Sequence, residues 1–116
     1  MIKSVIVIDD SEDTVELFSE FLEQNGINVV GKGFDGVTAV KLYKQLKPDL
    51  VLLDLHMHNG SGFYAIEKIR EIEPKARIIV VTSDTTAETH SRCKKLDVRI
   101  LEKPFRIEQI LISLQE

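Results

Sequence analysis

Five short aliphatic runs, each followed by a segment of helical spacing, leave this chain few folds to adopt. The runs are Ser4–Ile8, Ile27–Lys32, Leu50–Leu53, Arg77–Thr82 and Val98–Leu101. Their apolar residues fall mostly on consecutive positions rather than alternating, the pattern of strands covered on both faces, as in a parallel sheet wrapped by helices. Between them, Val15, Phe18 and Leu22, with Leu17 and Phe21 beside them, mark a first helix that Gly26 can stop. Val40, Tyr43 and Leu46 mark a second, ended by Pro48, and Ala65, Ile66, Ile69 and Ile72 a third, with Pro74 beyond. The fourth, from Thr85 to about Leu96, is the weakest: Ala87, His90, Cys93 and Leu96 are its candidates for a buried stripe. Ile107, Ile110, Leu111 and Leu114 fall at i, i+3, i+4 and i+7 and mark a fifth. This alternation predicts an α/β, doubly wound (βα)5 domain with right-handed crossovers.

With 116 residues and neither repeat nor linker, residues 1–116 read as a single domain. Apolar content of 43% and a net charge of −4 exclude a disordered segment, and no global basic field draws the chain to nucleic acid. The longest apolar runs, Val5–Ile8, Leu50–Leu53 and Ile78–Val81, are far shorter than the ~20 residues a membrane span needs. Asp9 and Asp10 interrupt anything like a signal-peptide core, and the one cysteine, Cys93, cannot form an internal disulfide. The expectation is a cytoplasmic domain without membrane or direct nucleic-acid contacts.

In an open parallel sheet, ligands sit beyond the carboxyl ends of the strands. There the first strand finishes in Asp9-Asp10, the third in Asp54, the fourth in Thr82, and the fifth runs into Lys103-Pro104. Two like charges about 4 Å apart cost about 4 kcal/mol at an effective dielectric near 20. Three converging carboxylates therefore raise a pKa, recruit a cation, or both. Hard oxygen ligands without companion His or Cys side chains point to Mg²⁺, which prefers a site completed by phosphate oxygens. Lys103 offers those oxygens a positive charge and Thr82 a hydroxyl. An aspartate beside Mg²⁺ can attack phosphorus, so the chemistry implied is phosphoryl transfer onto Asp54. Taken singly, each piece has a plainer reading, Asp10 or Ser11 serving as a helix cap, for example. The joint pattern carries the inference.

These residues resemble the receiver domain of two-component response regulators. The likeness spans the chain: Val5-Ile6-Val7-Ile8-Asp9-Asp10, Asp35-Gly36, Pro48-Asp49-Leu50-Val51-Leu52-Leu53-Asp54, Gly62 eight residues further, Val80-Val81-Thr82-Ser83 and Lys103-Pro104-Phe105. The resemblance implies a flavodoxin-like sheet of order 2-1-3-4-5. It implies Asp54 as phosphoacceptor and Asp10 as direct Mg²⁺ ligand, with Asp9 acting mainly through water and the His56 backbone carbonyl completing the protein ligands. Thr82 and Lys103 would hold the phosphoryl group, and the Lys103–Pro104 peptide would be cis. The phosphoryl donor would be a sensor histidine kinase or phosphotransfer protein, or acetyl phosphate. The output would be altered binding of a downstream target, by a monomer or weak homodimer that catalyses only its own phosphorylation and dephosphorylation. His56 and Asp84 stand where the family tunes dephosphorylation, although Asp84 also reads as a cap for the fourth helix with Thr85 or Thr86.

The chain departs from the family pattern in three places. Ile100 stands where an aromatic usually reports phosphorylation, Leu96-Asp97-Val98 replaces a customary Gly-Ala, and His58 replaces a common proline. Because the first two lie at the family's output face, a phosphorylation-independent interaction module on the same fold is the alternative. A phosphatase of the haloacid-dehalogenase type fits less well, since its Asp-x-Asp ends the first strand. Of the remaining features, Arg92, Lys94, Lys95 and Arg99 read as a solvated basic cluster, Cys93 as a core residue, and His58 and Ile112 as exposed.

Overall fold

The computed structural model describes residues 2–103, 106 and 108–115. The chain alternates β1 (Ser4–Ile8), α1 (Glu12–Gln24), β2 (Asn28–Gly33), α2 (Gly36–Leu46) and β3 (Leu50–Leu53). It continues with α3 (Gly62–Ile72), β4 (Ile78–Thr82), α4 (Ala87–Lys95), β5 (Arg99–Glu102) and α5 (Glu108–Gln115). The strands form one parallel sheet in the order β2-β1-β3-β4-β5, and the order of connection reverses between β1 and β3.

The two-residue period of a strand explains why its apolar runs are continuous. Ile6, Ile8, Val51, Leu53, Ile78 and Val80 point to one face, where Ala39 and Tyr43 of α2, Ala65, Ile66 and Ile69 of α3 and Cys93 of α4 cover them. Val5, Val7, Leu50, Leu52, Ile79 and Val81 point to the other, covered by Val15, Phe18 and Leu22 of α1 and Ile110 of α5. Both faces are dry, so a slip of one residue in any central strand would still bury apolar groups, but it would move the polar residue that ends the strand.

Helix starts crowd the carboxyl edge of the sheet. Ser11, Asp35, Ser61 and Thr86 are N-caps whose side chains accept from the amides of Thr14, Thr38, Tyr64 and Thr89. Ser11 is thus the cap of α1, and Asp10 is left to the site. The stop expected at Gly26 is present, with φ of +83° just past the C-cap Asn25.

The helical stripes match the sequence pattern except at Leu17, which is 56% exposed in mid-α1, and at their margins. Leu46, expected inside, is 42% exposed, and Ile72 lies at the surface edge of α3. The larger difference is α4. Its buried residues are Thr89 and Cys93, while Ala87 is exposed and His90 and Leu96 are only partly covered. His90 turns instead to Glu102 on β5, with Nε2 2.7 Å from the carboxylate. Arg92, exposed as expected, also stacks 3.9 Å over the Phe63 ring and reaches Glu67 at 3.4 Å. Ile112 and His58 are exposed as expected. The cis peptide expected at Lys103–Pro104, Phe105 of the same motif, and Ile107 of the fifth stripe fall outside the described residues.

Candidate functional site

Strand register assembles the site. Ile8 pairs with Leu53, so the residues that follow, Asp9 and Asp54, leave the sheet side by side, and the Asp54 amide donates to the Ile8 carbonyl at 3.0 Å. Leu53 pairs with Val80, and Thr82 with Glu102, which sets Thr82 and Lys103 on the same edge. The Lys103 amide extends that ladder to the Thr82 carbonyl at 2.7 Å. Gly62 closes the loop after β3: its amide donates to the Leu55 carbonyl at 2.8 Å, and a Cβ there would collide with the Asp54 carbonyl. Only glycine lets α3 start this close to the end of β3.

Asp9, Asp10 and Asp54 present carboxylate oxygens that lie within 4.8 Å of one another. Asp9 is 3% exposed and Asp54 9%, whereas Asp10 faces solvent, so the cluster is open on one side. Lys103 bridges its floor, with Nζ 3.3 Å from Asp9 Oδ2 and 3.6 Å from Asp54 Oδ2. Burial pushes the Asp54 carboxyl above its ordinary value; the Lys103 charge opposes this and the Asp9 charge adds to it. Asp54 Oδ1 accepts the Leu55 amide at 2.7 Å, which fixes the side chain and leaves Oδ2 toward the lysine. Asp9 Oδ1 accepts the Ser11 amide at 3.0 Å. Three carboxylates against one ammonium leave excess negative charge, and a hard divalent cation fits that donor set.

Thr82 is fully buried, and its hydroxyl accepts the Asp84 amide at 3.1 Å. The Asp84 carboxylate is the most heavily used side chain of the region. Oδ1 accepts from the Thr86 amide at 3.0 Å and the Thr86 hydroxyl at 2.8 Å. Oδ2 takes the Thr89 hydroxyl at 2.7 Å and lies 2.9 Å from His56 Nε2. These donors, the Thr89 hydroxyl first, hold the Asp84 carboxyl well below the usual carboxylate range. Asp84 therefore supports the cap of α4 from outside rather than being it.

The structure thus brings together Asp9, Asp10, Asp54 and Lys103 in one cluster. It places Thr82 on the neighbouring strand end, with His56 two residues beyond Asp54. Sequence reasoning missed Thr89. The signal was the spacing Asp84, Thr86, Thr89, two acceptor-hungry hydroxyls three residues apart at a helix start. A cleft of about 500 Å³ opens at the opposite edge of the sheet, lined by Arg70, Ala76, Arg77, Asp97 and Arg99 among others. There the Arg70 guanidinium is spent on the carbonyls of Ala76, Leu96 and Asp97, which makes the cleft a seam between loops.

Comparison with known proteins agrees with this arrangement. The response regulator receiver domain pattern matches residues 5–115. The chain is 36% identical to the chemotaxis protein CheY of Thermotoga maritima, over 98% of this chain and 96% of that protein. It is 32% identical to CheY of Halobacterium salinarum, over 100% and 97%. Among solved structures, the CheX–CheY–BeF3–Mg²⁺ complex of Borrelia burgdorferi superposes with a TM-score of 0.92 at 25% identity, covering 97% of this chain and 87% of that one. A doubly wound sheet with three carboxylates and a lysine at its carboxyl edge, matched over nearly its whole length, places this chain in the receiver domain family of response regulators, the phosphorylation-controlled switches of two-component signalling.

Proposed function

We propose that Asp54 accepts the phosphoryl group, that Asp9, Asp10 and the His56 backbone carbonyl hold Mg²⁺ beside it, and that Thr82 and Lys103 take the phosphoryl oxygens. The observation that carries this reading is the cluster itself: three carboxylates within 4.8 Å, two of them, Asp9 and Asp54, buried against Lys103. When bound, Mg²⁺ supplies charge neutralisation for the carboxylates and the incoming phosphoryl oxygens. The remaining work falls to side chains. Asp54 Oδ2 attacks phosphorus in line, the new O–P bond forms as the P–N bond to a donor phosphohistidine breaks, and the electron pair leaves on the imidazole nitrogen. Lys103 stands 3.6 Å from that oxygen, where its ammonium follows the charge as it spreads over the phosphoryl group. Thr82 contributes its hydroxyl proton, since the hydroxyl already accepts from Asp84 and has its donor to spare.

The donor is a sensor histidine kinase or phosphotransfer protein met in the cytoplasm, and residues 1–116 act as one receiver domain. The similar CheX–CheY complex, solved with BeF3 and Mg²⁺, supports the cation. Among the described residues, no helix is long and apolar enough to cross a membrane. The test is incubation with Mg²⁺ and acetyl phosphate, read by intact mass. A single phosphoryl adduct on the wild-type protein and none on Asp54→Asn is expected. An adduct retained by Asp54→Asn contradicts the assignment. Lack of an adduct from both acetyl phosphate and a phosphorylated kinase favours a phosphorylation-independent module.

A further inference from the structure

Helix α4 is attached differently from its neighbours. It buries Thr89 and Cys93 alone, whereas α3 on the same face buries Gly62, Ala65, Ile66 and Ile69. What it lacks in apolar contact it makes up in polar ties, and those at its first turn converge on one carboxylate. Asp84 accepts from Thr86 and Thr89 on the helix side, meets His56 on the site side, and gives its own amide to Thr82. An ionised carboxylate only accepts, so His56 Nε2 carries the proton of that bond. Both elements that answer to Asp54, the loop carrying His56 and the end of β4 carrying Thr82, are thereby joined to α4 through a single residue. Ile100, partly buried on β5, has no side-chain polar group with which to make a second such link.

We propose that Asp84 is the joint through which the state of Asp54 reaches α4, a positioning residue that takes the place of an aromatic relay. The inference rests on the phosphoacceptor reading above. A cation on the His56 carbonyl, or a phosphoryl group drawing the Thr82 hydroxyl, shifts one of the two site-side partners of Asp84. Because its Oδ atoms hold the cap residue Thr86 and the Thr89 hydroxyl, that shift changes how firmly the first turn of α4 is held. An element with little buried apolar area is also one that opens at low cost, so a change at its cap is amplified into its exchange with solvent.

The experiment is amide hydrogen exchange of residues 87–95, with and without saturating Mg²⁺ and beryllium trifluoride, uptake being measured by calorimetry for each variant. In the wild-type protein the phosphoryl analogue is expected to change exchange in α4 severalfold and in α3 hardly at all. In Asp84→Ala, exchange in α4 is expected to be about tenfold faster without the analogue, the scale of one lost hydrogen bond to a charged group, and the same with it. Asp84→Asn, which keeps an acceptor for the Thr86 amide, is expected to restore part of the response. His56→Ala keeps the backbone carbonyl and cuts only the imidazole link, so the response should shrink by about twofold or more. An α4 response of wild-type size in either Asp84→Ala or His56→Ala overturns the proposal. A wild-type protein that takes up no analogue contradicts the phosphoacceptor reading itself, and this inference with it.

Discussion

Helices α3 and α4 cover the same face of the sheet, and they are held there by different forces. The inner face of α3 consists of Ala65, Ile66 and Ile69, all fully buried against strand residues such as Val51 and Val80. That of α4 consists of Thr89 and Cys93, and its remaining anchors are polar: Asp84 at the start, Glu102 through His90, and Glu67 with the Phe63 ring through Arg92. Apolar burial is indifferent to what happens at the sheet edge, because it depends on area removed from water. Hydrogen bonds and ion pairs depend on the position and charge of single atoms. A helix held by burial therefore stays put when the site changes, and one held by polar ties to the site responds.

The comparison breaks first at α3. Ile66→Ala leaves a cavity in a closed core and should cost about 2–5 kcal/mol in urea unfolding. A loss under about 1 kcal/mol would show that α3 is not anchored by packing. It sharpens at Thr89, where Thr89→Val keeps shape but removes the hydroxyl donated to Asp84. A cost of about 1 kcal/mol is expected, with faster exchange in α4 and none in α3. If both helices loosen equally, the polar tie is not local to α4.

The smallest effect belongs to the site itself. Burial raises the Asp54 carboxyl, so folding disfavours its charged form relative to the unfolded chain. Such a group contributes stability below its unfolded pKa and loses it as pH rises through the folded value. In metal-free buffer at pH 7, Asp54→Asn should therefore melt about 2 °C above the wild-type protein. The difference should vanish at pH 3, where both forms are neutral. An unchanged or lower melting temperature at pH 7 means that Lys103 compensates the burial in full.

Much of this was legible in the chain. The runs Val5–Ile8, Leu50–Leu53 and Ile78–Val81 announced strands buried on both faces, and the polar residues that end them had to meet at one edge. Asp9, Asp10, Asp54, Thr82 and Lys103 could thus be gathered at one edge from strand ends alone. For α4 the chain showed a weakly buried helix with Cys93 inside, and what it hid, Thr89, was hidden for a physical reason. Apolar spacing selects Ala87, His90, Cys93 and Leu96, but the helix turns Thr89 inward because Asp84 satisfies its hydroxyl. A partnered threonine packs like a small apolar residue, and the partner lies five residues away in a turn that no periodicity reveals. The same holds for the His56–Asp84 contact, where two residues 28 apart meet only because β3 and β4 are neighbours.

The most direct measurement is a two-step titration followed by amide NMR, first with Mg²⁺ and then with beryllium trifluoride. Mg²⁺ alone is expected to shift residues 9, 10 and 54–56. The phosphoryl analogue should then shift Thr82, Asp84 and the first turn of α4 from Thr86 to Thr89, with α3 beyond Gly62 nearly silent. Shifts that stop at the carboxylates, or that spread over α3 as strongly as over α4, would contradict that expectation.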